Sequence, residues 1–409
     1  MRIGRVDQGQ RSETVRRANL SAIVRGLHER GPLSRSELVA ATGLTRSAIR
    51  GLVGELTQAG LVIEQPALRL GTPGRPSPLV RPNPDGAVVL GFEIVVDSIA
   101  AAIVGLGGVT RHLVREDRPR GHLSVEDMVA DLATLGTDLR ARADGPLIGI
   151  GVAVAGVVRR DDGLVSMAPN LGWADVPLGA RLSRALGVAV PIAVANDADL
   201  GVLAEHRRGA AMGVGDVVFV SGEVGVGGGI IVGGEPLTGA AGYGGEVGHM
   251  SVNPTGTFCR CGSRGCWETE VGEGALLARA GYSPDAGRAG IEALLRDAGA
   301  GSTPAITALE ETGRWLGIGL ASLVNLLNPR LIVLGGLFGR IHPHAHVTLE
   351  AELASRCLPA PHSLVRVVPA RLGVDAPVLG AAELAFEPLL ADPAAWLGPR
   401  DTAFHLASA

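Results

Sequence analysis

Three of the four cysteines in this 409-residue chain fall within eight residues, and no other feature constrains its fold as strongly. They are Cys259, Cys261 and Cys266, and His249 lies ten residues before the first of them. Thiolate sulfur and imidazole nitrogen are the ligands that a structural zinc ion prefers, and four of them complete a tetrahedral shell. The spacing therefore predicts a structural zinc site, with one disulfide and a spare thiol as the alternative.

The residues around this cluster add to the prediction. Gly262 and Gly265 allow the tight loop that an enclosed ion requires. Glu246 precedes His249 by three residues, and Glu268 follows the last clustered cysteine by two. A zinc ion bound here would fix the geometry of both carboxylates through the loop that carries them.

Charge is distributed unevenly along the chain. Residues 1–82 contain 13 arginines and 6 acidic residues, a net charge of +7, whereas the remainder carries −11. A basic segment before an acidic body indicates contact with nucleic acid at the N-terminal end. We expect a cytoplasmic protein with no membrane partner, because the longest apolar run, 147–158, is short and the N-terminus lacks a signal-peptide core.

The first sixty residues contain the signals of three helices. Apolar residues at helical spacing predict a helix over 16–29. Ser34 with Glu37 three residues later is a capping box that starts a second helix, which ends at Thr42-Gly43. Thr45 is a plausible N-cap of a third helix running to about residue 59. A helix, a glycine-centred turn and another helix form a helix-turn-helix pattern.

The third helix is the expected DNA-reading element, because the second helix of such a pair lies in the major groove. A short strand at 61–63 and a Gly-Pro turn at 71–76 predict a wing, and Arg75 on that turn suits a narrow minor groove. The segment 81–86 is predicted to be a linker. The alternative is a three-helix interaction module that does not touch DNA. The predicted DNA contacts are Thr45, Arg46, Ser47, Arg50 and Arg75.

The body repeats one pattern of strands followed by a helix. Apolar strands are predicted at 88–93, 99–106, 109–114, 147–155 and 191–194, and again at 216–220, 227–232 and 331–334. Helices are predicted at 125–142 and 303–327. Two similar halves imply a cleft between them, and ligands bind in such clefts.

Polar residues at the ends of these strands are expected to converge on the cleft. Amide, carboxylate and imidazole groups together suit the hydroxyls of a sugar. Several have simpler explanations. Asn196 and Asp197 could serve as caps of the helix 198–206 and nothing more, and Glu268 could serve only to support the zinc loop. Trp173 could lie in the core. The candidate sugar contacts are Asn170, Asn196, Asp197, Glu246, His249 and Glu268.

These motifs resemble the ROK family, whose name stands for repressors, open reading frames and kinases. The most specific element is Cys259-x-Cys261-Gly-x-x-Gly-Cys266-x-Glu268 with Glu246-x-Gly-His249 before it. Asn196-Asp197 matches the family's sugar-binding Asn and catalytic-base Asp. The segments 329–336 and 375–382 match those near the nucleotide base and in the closing helix.

The resemblance implies an α/β chain, with an N-terminal winged helix-turn-helix followed by an actin-like sugar-kinase fold of two ribonuclease-H-like lobes. The expected division is 1–82 for DNA binding, 83–195 for the first lobe with a closing helix at about 377–392, and 196–376 for the second lobe with the zinc loop. The tail 393–409 has no assigned role and is expected to be disordered.

The choice between kinase and repressor depends on the phosphate loops. ROK kinases begin the body with Asp-x-Gly-Gly-Thr, where this chain has Glu93-Ile-Val95-Val96-Asp97. Valine in place of glycine keeps the backbone away from a phosphate, and a carboxylate at the threonine position would repel one. The second loop, 221–229, keeps its glycines but carries Glu223-Val224, so its glycines could persist for packing alone.

We therefore predict a sugar-responsive repressor that is not an enzyme, acting as a homodimer or homotetramer on an operator. The effector is a sugar or a sugar phosphate, and Arg159 and Arg160 are candidates for a phosphate contact. One alternative is an active glucokinase-like enzyme with an appended DNA-binding domain, in which Asp197 is the base. Another is a body that binds no small molecule and responds to a protein partner.

Overall fold

A computed structural model describes residues 8–66, 77–121, 124–159 and 161–397. The predicted wing turn with Arg75, the candidate Arg160, and residues 398–409 lie outside this part of the chain. The helices are α1 Gln8–Arg30, α2 Arg35–Thr42, α3 Arg46–Gln58, α4 Val125–Arg140, α5 Leu178–Leu186, α6 Asp197–Arg208, α7 Trp267–Val271, α8 Glu273–Arg279, α9 Gly287–Gly299, α10 Thr303–Leu327, α11 Gly336–Arg356, α12 Pro359–Leu364 and α13 Ala376–Ala391.

The strands alternate with these helices. They are β1 Leu33–Ser34, β2 Val62–Gln65, β3 Leu79–Pro82, β4 Val88–Val95, β5 Ser98–Gly105, β6 Val109–Asp117, β7 Leu147–Val154, β8 Val157–Arg159, β9 Leu164–Ala168, β10 Trp173–Val176, β11 Ile192–Asn196, β12 Val217–Gly222, β13 Val226–Val232, β14 Glu235–Pro236, β15 Leu331–Gly335 and β16 Arg366–Pro369.

The N-terminal unit begins its helices at the predicted caps. The Ser34 hydroxyl accepts from the Glu37 amide at 3.2 Å, and the Glu37 carboxylate accepts from the Ser34 amide at 2.7 Å, so the capping box is confirmed. Thr45 caps α3 by accepting from the Ala48 amide at 3.2 Å. Gly43 ends α2 with φ +71°, a conformation that glycine adopts without steric cost.

The small sheet of this unit corrects one prediction. Its order is β1-β3-β2, and both contacts of β3 are antiparallel. Arg81 and Pro82 pair with Ile63 and Val62 in this sheet. The linker prediction for 81–86 is therefore wrong for its first two residues. The partner strand β1 reaches only Leu79 and Val80, so Pro82 pairs on one side alone and its missing N–H interrupts no bond on the other.

The two lobes have the same topology. The first sheet has the order β6-β5-β4-β7-β11 and the second has the order β14-β13-β12-β15-β16. In each sheet a three-stranded antiparallel meander is followed by two parallel strands. The predicted duplication of a sheet-and-helix unit is confirmed.

The closing helix α13 returns to the first lobe and lies directly on its sheet. A Cβ added to Gly91, Gly149 or Gly151 would lie 2.4, 2.8 or 1.9 Å from a carbonyl oxygen of α13. These glycines are needed because the helix and the strand backbones touch without side chains between them. Phe386 and Leu389 of α13 are fully buried in a core that also contains Leu20 of α1.

The chain after α13 is ordered at its start. Residues Pro393–Trp396 form a 3-10 helix, and Trp396 packs against the core that α1 and α13 share. The expectation of a disordered tail is wrong for these residues, because apolar side chains give them surface to bury. Trp173 lies in the core of the first lobe with 5% of its surface exposed, so the core alternative is correct for this residue.

Candidate ligand-binding cleft and metal centre

The predicted polar residues line a cavity of about 160 Å³ between the lobes. The first lobe contributes the β4–β5 turn at 95–97 and the loops at 155–157 and 169–170. The second lobe contributes the segment 221–227 and the cysteine loop. All six candidate sugar contacts are among the lining residues.

Asn196 has a structural role at this cavity. Its Oδ1 accepts from the amides of Ala198 at 2.8 Å and Asp199 at 3.2 Å. Asn196 therefore caps α6, which is the simpler explanation given in the sequence analysis. Its Nδ2 donates to the Gly156 carbonyl at 3.0 Å. An amide nitrogen has two hydrogens, so the second one remains available for an acceptor in the cavity.

Asp197 is the first residue of α6 and faces the cavity. Its Oδ1 accepts from the Ala198 amide at 3.0 Å. Burial raises the pKa of Asp197 to about 6, against the opposing effect of this hydrogen bond and with a smaller contribution from Glu246. The carboxylate is therefore largely ionised at neutral pH and can accept a hydrogen bond from a hydroxyl.

The four predicted metal ligands come together on the cysteine loop. Their ligand atoms all lie within 4.8 Å of one another. The Cys261 and Cys266 sulfurs are 3.7 Å apart, and the Cys259 sulfur is 3.8 Å from His249 Nδ1. Tetrahedral zinc–thiolate bonds of about 2.3 Å place two sulfurs about 3.8 Å apart. The donor set thus fits zinc, and all four cysteines are free thiols, which does not support the disulfide alternative.

The glycines of this loop have the conformations that the sequence predicted. Gly262 and Gly265 have φ values of +91° and +71°. A Cβ on Gly265 would lie 1.6 Å from the Asn253 carbonyl oxygen, so only glycine fits there.

His249 lies between the metal ligands and the cavity. Its Nδ1 faces the Cys259 sulfur, while Nε2 lies 3.9 Å from a Glu246 carboxylate oxygen. A metal ion bound through Nδ1 would leave the imidazole proton on Nε2, on the cavity side. Glu268 Oε1 lies 2.8 Å from the Cys259 sulfur, so this carboxylate contacts the cysteine loop as well as lining the cavity.

Arg260 is a cavity residue that the sequence reasoning missed. It lies between two cysteines of the cluster, and its guanidinium donates to Asn170 Oδ1 at 2.9 Å. This bond joins the cysteine loop to the first lobe and turns the Asn170 amide nitrogen away from Arg260. Its position inside the Cys-x-Cys motif was a signal that could have identified it.

On the other side of the cavity, the β4–β5 turn, which resembles the first phosphate loop of ROK kinases in sequence, carries ion pairs. Asp97, at the kinase threonine position, pairs with Arg120 at 3.0 Å and with Arg288 at 3.6 Å. Arg120 also pairs with Glu273 of the second lobe at 2.7 Å. These partners are 23 to 191 positions from Asp97 in the chain, so no local pattern could have identified them.

Glu93 stands where the kinases have the first aspartate of the loop. It is 3% exposed and accepts from Arg115 at 2.7 Å. Burial raises the pKa of Glu93 to about 7, although the Arg115 guanidinium opposes this. Arg115 also donates to Asp375, at the start of the closing helix, at 3.3 Å.

The second phosphate loop adds another carboxylate to this side. Glu223 lines the cavity between the lobes, and its side chain is exposed to solvent there. Desolvation, together with repulsion from Glu93, Asp97 and Asp197, raises the pKa of Glu223 to about 8. The nearby glycines pack against α6: a Cβ on Gly227 or Gly229 would lie 2.9 or 2.4 Å from Ala198. Packing therefore accounts for these glycines without a phosphate.

Four of the five predicted DNA contacts lie on one surface of the N-terminal unit, and the fifth, Arg75, is outside the described residues. Ile49 and Val53 of α3 are fully buried, and the opposite face of this helix is exposed. Neither Arg46 nor Arg50 has an ion-pair partner within the described residues. The exposed residues of this surface are Thr45, Arg46, Ser47 and Arg50.

Arg159 does not have the suggested phosphate role in this arrangement. It pairs with Asp162 at the surface, with two hydrogen bonds of 2.9 and 2.5 Å, and it does not line the cavity. Within the described residues, none of the helices has the length and apolar character needed to cross a membrane.

Comparison with known proteins agrees with this architecture. The profile of the ROK family matches residues 89–387. The xylose repressor of Bacillus spizizenii is 28% identical over 92% of this chain and 97% of its own length. The glucokinase of Streptomyces coelicolor is 30% identical over 74% of this chain and 98% of its own length.

The structural comparison also covers the N-terminal unit. The crystal structure of a ROK family transcriptional regulator, a homologue of the E. coli MLC protein, superposes with a TM-score of 0.74 and 26% identity. The match covers 94% of this chain and 97% of that one. Similarity to the repressor and the regulator thus covers 92% and 94% of this chain, whereas similarity to the kinase covers 74% of it.

Proposed function

Because the chain belongs to the ROK family, we propose that this protein is a sugar-responsive transcriptional repressor that binds its effector without phosphorylating it. The observation that carries the proposal is a helix-turn-helix unit joined to a kinase-like body in which Asp97 and Glu93, at the phosphate-loop positions, are paired with arginines. The full-length relatives support it, because those with a matching N-terminal unit are repressors or regulators by name.

The loss of kinase activity follows from charge. Phosphoryl transfer needs the phosphates positioned and their developing charge stabilised by cations or backbone amides. Asp97 and Glu93 lie in the segment that resembles the first phosphate loop of the kinases, and Glu223 lies in the segment that resembles the second. Arg120 and Arg115 are nearby, but carboxylates already hold them at 3.0 Å or less. Binding a nucleotide would require these ion pairs to break and the nucleotide's negative charge to lie beside the freed carboxylates.

The same charges favour a neutral sugar over a sugar phosphate as the effector. Among the described residues that line the cavity, the acidic residues are Asp97, Asp197, Glu223, Glu246 and Glu268, and the only arginine is Arg260. Glu223, with a pKa of about 8, is largely protonated at neutral pH and adds little to this negative charge. Carboxylates accept hydrogen bonds from hydroxyl groups but repel a phosphate. Asn196 Nδ2 and Arg260 supply donors for the sugar oxygens.

A structural zinc ion held by His249, Cys259, Cys261 and Cys266 completes the proposed site. Zinc would stabilise the folded conformation of the cysteine loop. Through His249, it would also set which ring nitrogen carries a proton toward the cavity. Glu268 and Arg260 belong to this loop, so its order determines where they face the sugar.

The proposed DNA contact is the exposed face of α3. Arg46 and Arg50 can contact phosphates or guanine edges in the major groove, with Thr45 and Ser47 beside them. We propose that two copies bind a pseudo-palindromic operator in the cytoplasm, since a symmetric dimer presents two such helices to half-sites about one helical turn apart.

A binding titration tests the proposal directly. A fluorescent duplex from the region upstream of the protein's own gene is titrated with protein at several salt concentrations. D-xylose, D-glucose, D-galactose and D-mannose are then added, each beside its phosphate ester. We expect salt-dependent binding that one neutral sugar weakens and its phosphate ester does not. Binding that no sugar changes, or an absence of salt-dependent binding, would contradict the proposal.

One observation favours a second candidate function. Asp197 stands at the kinase base position with a pKa of about 6, and the chain is 30% identical to a glucokinase over its body. A coupled assay for ADP release over the same sugars tests for kinase activity. Turnover that disappears in Asp197→Asn would support a kinase with an added DNA-binding unit.

A further inference from the structure

The DNA-binding unit is joined to the body by a buried histidine on α1. His28 is fully buried, and its Nε2 lies 2.8 Å from Glu383 Oε2 of α13. Its Nδ1 accepts from the Gly107 amide at 3.0 Å, on the turn between β5 and β6. Because Nδ1 is an acceptor, Nε2 carries the proton and donates it to Glu383. This geometry fixes α1 on the closing helix.

The same carboxylate holds the end of α6. Arg208 Nε donates to Glu383 Oε1 at 2.8 Å, and its Nη1 donates to the His28 carbonyl at 2.7 Å. Arg207 donates to Glu383 Oε2 at 3.1 Å. Glu383 is 2% exposed, so it binds one residue of the DNA-binding unit and two residues of α6 without water between them.

A second carboxylate repeats this arrangement one turn along α13. Glu387 accepts from Arg25 of α1 at 3.0 Å and is also bonded to Arg207 of α6. Its side chain is 34% exposed, so it is the more accessible of the two junctions. Both carboxylates therefore connect the DNA-binding unit to the same end of α6.

The other end of α6 is the proposed sugar site. Asp197 begins the helix, and its twelve residues span about 18 Å at 1.5 Å per residue. On one side, a Cβ on Gly380 of α13 would lie 1.9 Å from the Leu200 carbonyl oxygen. On the other side, a Cβ on Gly229 of β13 would lie 2.4 Å from the Ala198 carbonyl oxygen. With backbone in contact on both sides, a shift at the Asp197 end is carried along the helix instead of being absorbed by side chains.

We infer that α6 transmits occupancy of the sugar site to the DNA-binding unit, and that Glu383, with Glu387, is the positioning residue that couples them. This inference rests on the proposed function. A sugar bound at Asp197 favours one position of α6 over another, and the carboxylates convert that position into the orientation of α1 and thus of α3. The sugar shifts the equilibrium only by the difference in its affinity for the two positions.

A purely structural junction would behave differently. It would hold the two units together, so that its removal would lower stability and weaken DNA binding with or without sugar. A coupling junction changes the ratio of the two operator affinities. By linkage, the same factor must appear when sugar affinity is measured with and without operator, so the ratio can be determined in two independent ways.

The test compares Glu383→Gln, Glu387→Gln and the unmodified protein. Glutamine keeps the shape and one acceptor but removes the charge that holds the arginines. Operator affinity is measured by fluorescence anisotropy without sugar and at saturating D-xylose, D-glucose, D-galactose and D-mannose. Sugar affinity is measured by calorimetry with and without operator. Arg17→Ala is the matched control, because Arg17 pairs with Asp392 across the same α1 face at 3.1 Å but has no contact with α6.

We expect the coupling factor of the unmodified protein to lie in the usual range of about 5- to 150-fold and to fall to within about 2-fold of unity in Glu383→Gln. The coupling factor should fall less in Glu387→Gln. This variant also tests the inference if the buried Glu383→Gln substitution prevents folding. Arg17→Ala should keep the full factor. If both glutamine variants retain the unmodified coupling factor, the inference is wrong while the proposed function stands. If the unmodified protein shows no coupling to any sugar, the proposed function itself fails.

Discussion

The two sides of the cleft have the same kind of scaffold but opposite chemistry. On the side of α6 and the cysteine loop, carboxylates and an imidazole line the cavity, and few of them are held by an arginine. On the side of the β4–β5 turn, Asp97 and Glu93 are each paired with an arginine. The first side is arranged to accept hydroxyl groups from a ligand, whereas the second has satisfied its own charges. The proposed function rests on this difference: the first side would bind a small molecule, and the second would not bind the phosphates of a nucleotide.

The largest effect is expected from removing the metal, which supports only the first side. In Cys266→Ser we expect bound zinc to fall from about one ion per chain to none and sugar binding to be lost, because a structural zinc site contributes folding free energy outright. Elemental analysis and calorimetry check this. Cys357→Ser, which changes the thiol outside the cluster, is the control and should keep both. Freshly purified unmodified protein without metal would contradict the zinc assignment.

The next effect comes from the carboxylate at the start of α6. Asp197→Ala should weaken sugar binding by about 10- to 150-fold, the equivalent of about 1.5–3 kcal/mol for a hydrogen bond to a charged group. Operator binding without sugar should remain, because Asp197 belongs to the body and not to the N-terminal unit that carries α3. Calorimetry measures the first and anisotropy the second. The exposed Asp161→Ala variant should bind sugar as the unmodified protein does. If Asp197→Ala and Asp161→Ala bind sugar equally well, Asp197 is not a sugar contact.

The pH dependence of sugar binding gives a smaller effect on the same side. Burial raises the pKa of Asp197 to about 6, so the carboxylate gains a proton as pH falls through that value. An ionised carboxylate accepts the stronger hydrogen bond, so sugar affinity should decline below pH 6 and level off above it. The decline approaches about tenfold per pH unit if binding needs the ionised form. The charge of Glu246 adds to the raised pKa of Asp197, so Glu246→Gln should lower the midpoint and Asp197→Asn should abolish the dependence.

The smallest effect is expected on the phosphate side. Restoring glycine in the double variant Val95→Gly, Val96→Gly should leave ADP release at background, because Asp97, Glu93 and Glu223 remain. The coupled assay measures this with the same panel of sugars. Sugar-dependent turnover in this variant would mean that the two valines alone block catalysis, and the charge argument would then be wrong.

Local features of the fold were predictable because they depend on neighbours in the chain. Ser34 and Thr45 cap the helices predicted for them, and α10 has the predicted bounds Thr303–Leu327. The cysteine cluster was recognisable for the same reason, since its ligands are close in sequence. The duplicated halves followed from a repeated order of strands and helices.

Long-range ion pairs were not predictable, and they determine what the cleft does. Arg120 and Glu273 are 153 positions apart, and His28 and Glu383 are 355 apart. Which arginine meets which carboxylate depends on how the lobes are placed, and no spacing in a single sequence encodes that. The linker prediction failed for a related reason, because the strand partner of Arg81 lies in a separate segment of the chain.

The most direct test follows DNA release and nucleotide turnover in one sample. Protein bound to a fluorescent operator duplex is given ATP, magnesium and the active neutral sugar, while anisotropy and ADP are recorded together. The account predicts that anisotropy falls with sugar concentration while ADP stays at background. Stoichiometric or greater ADP formation that accompanies the release, and that is absent in Asp197→Asn, would contradict it.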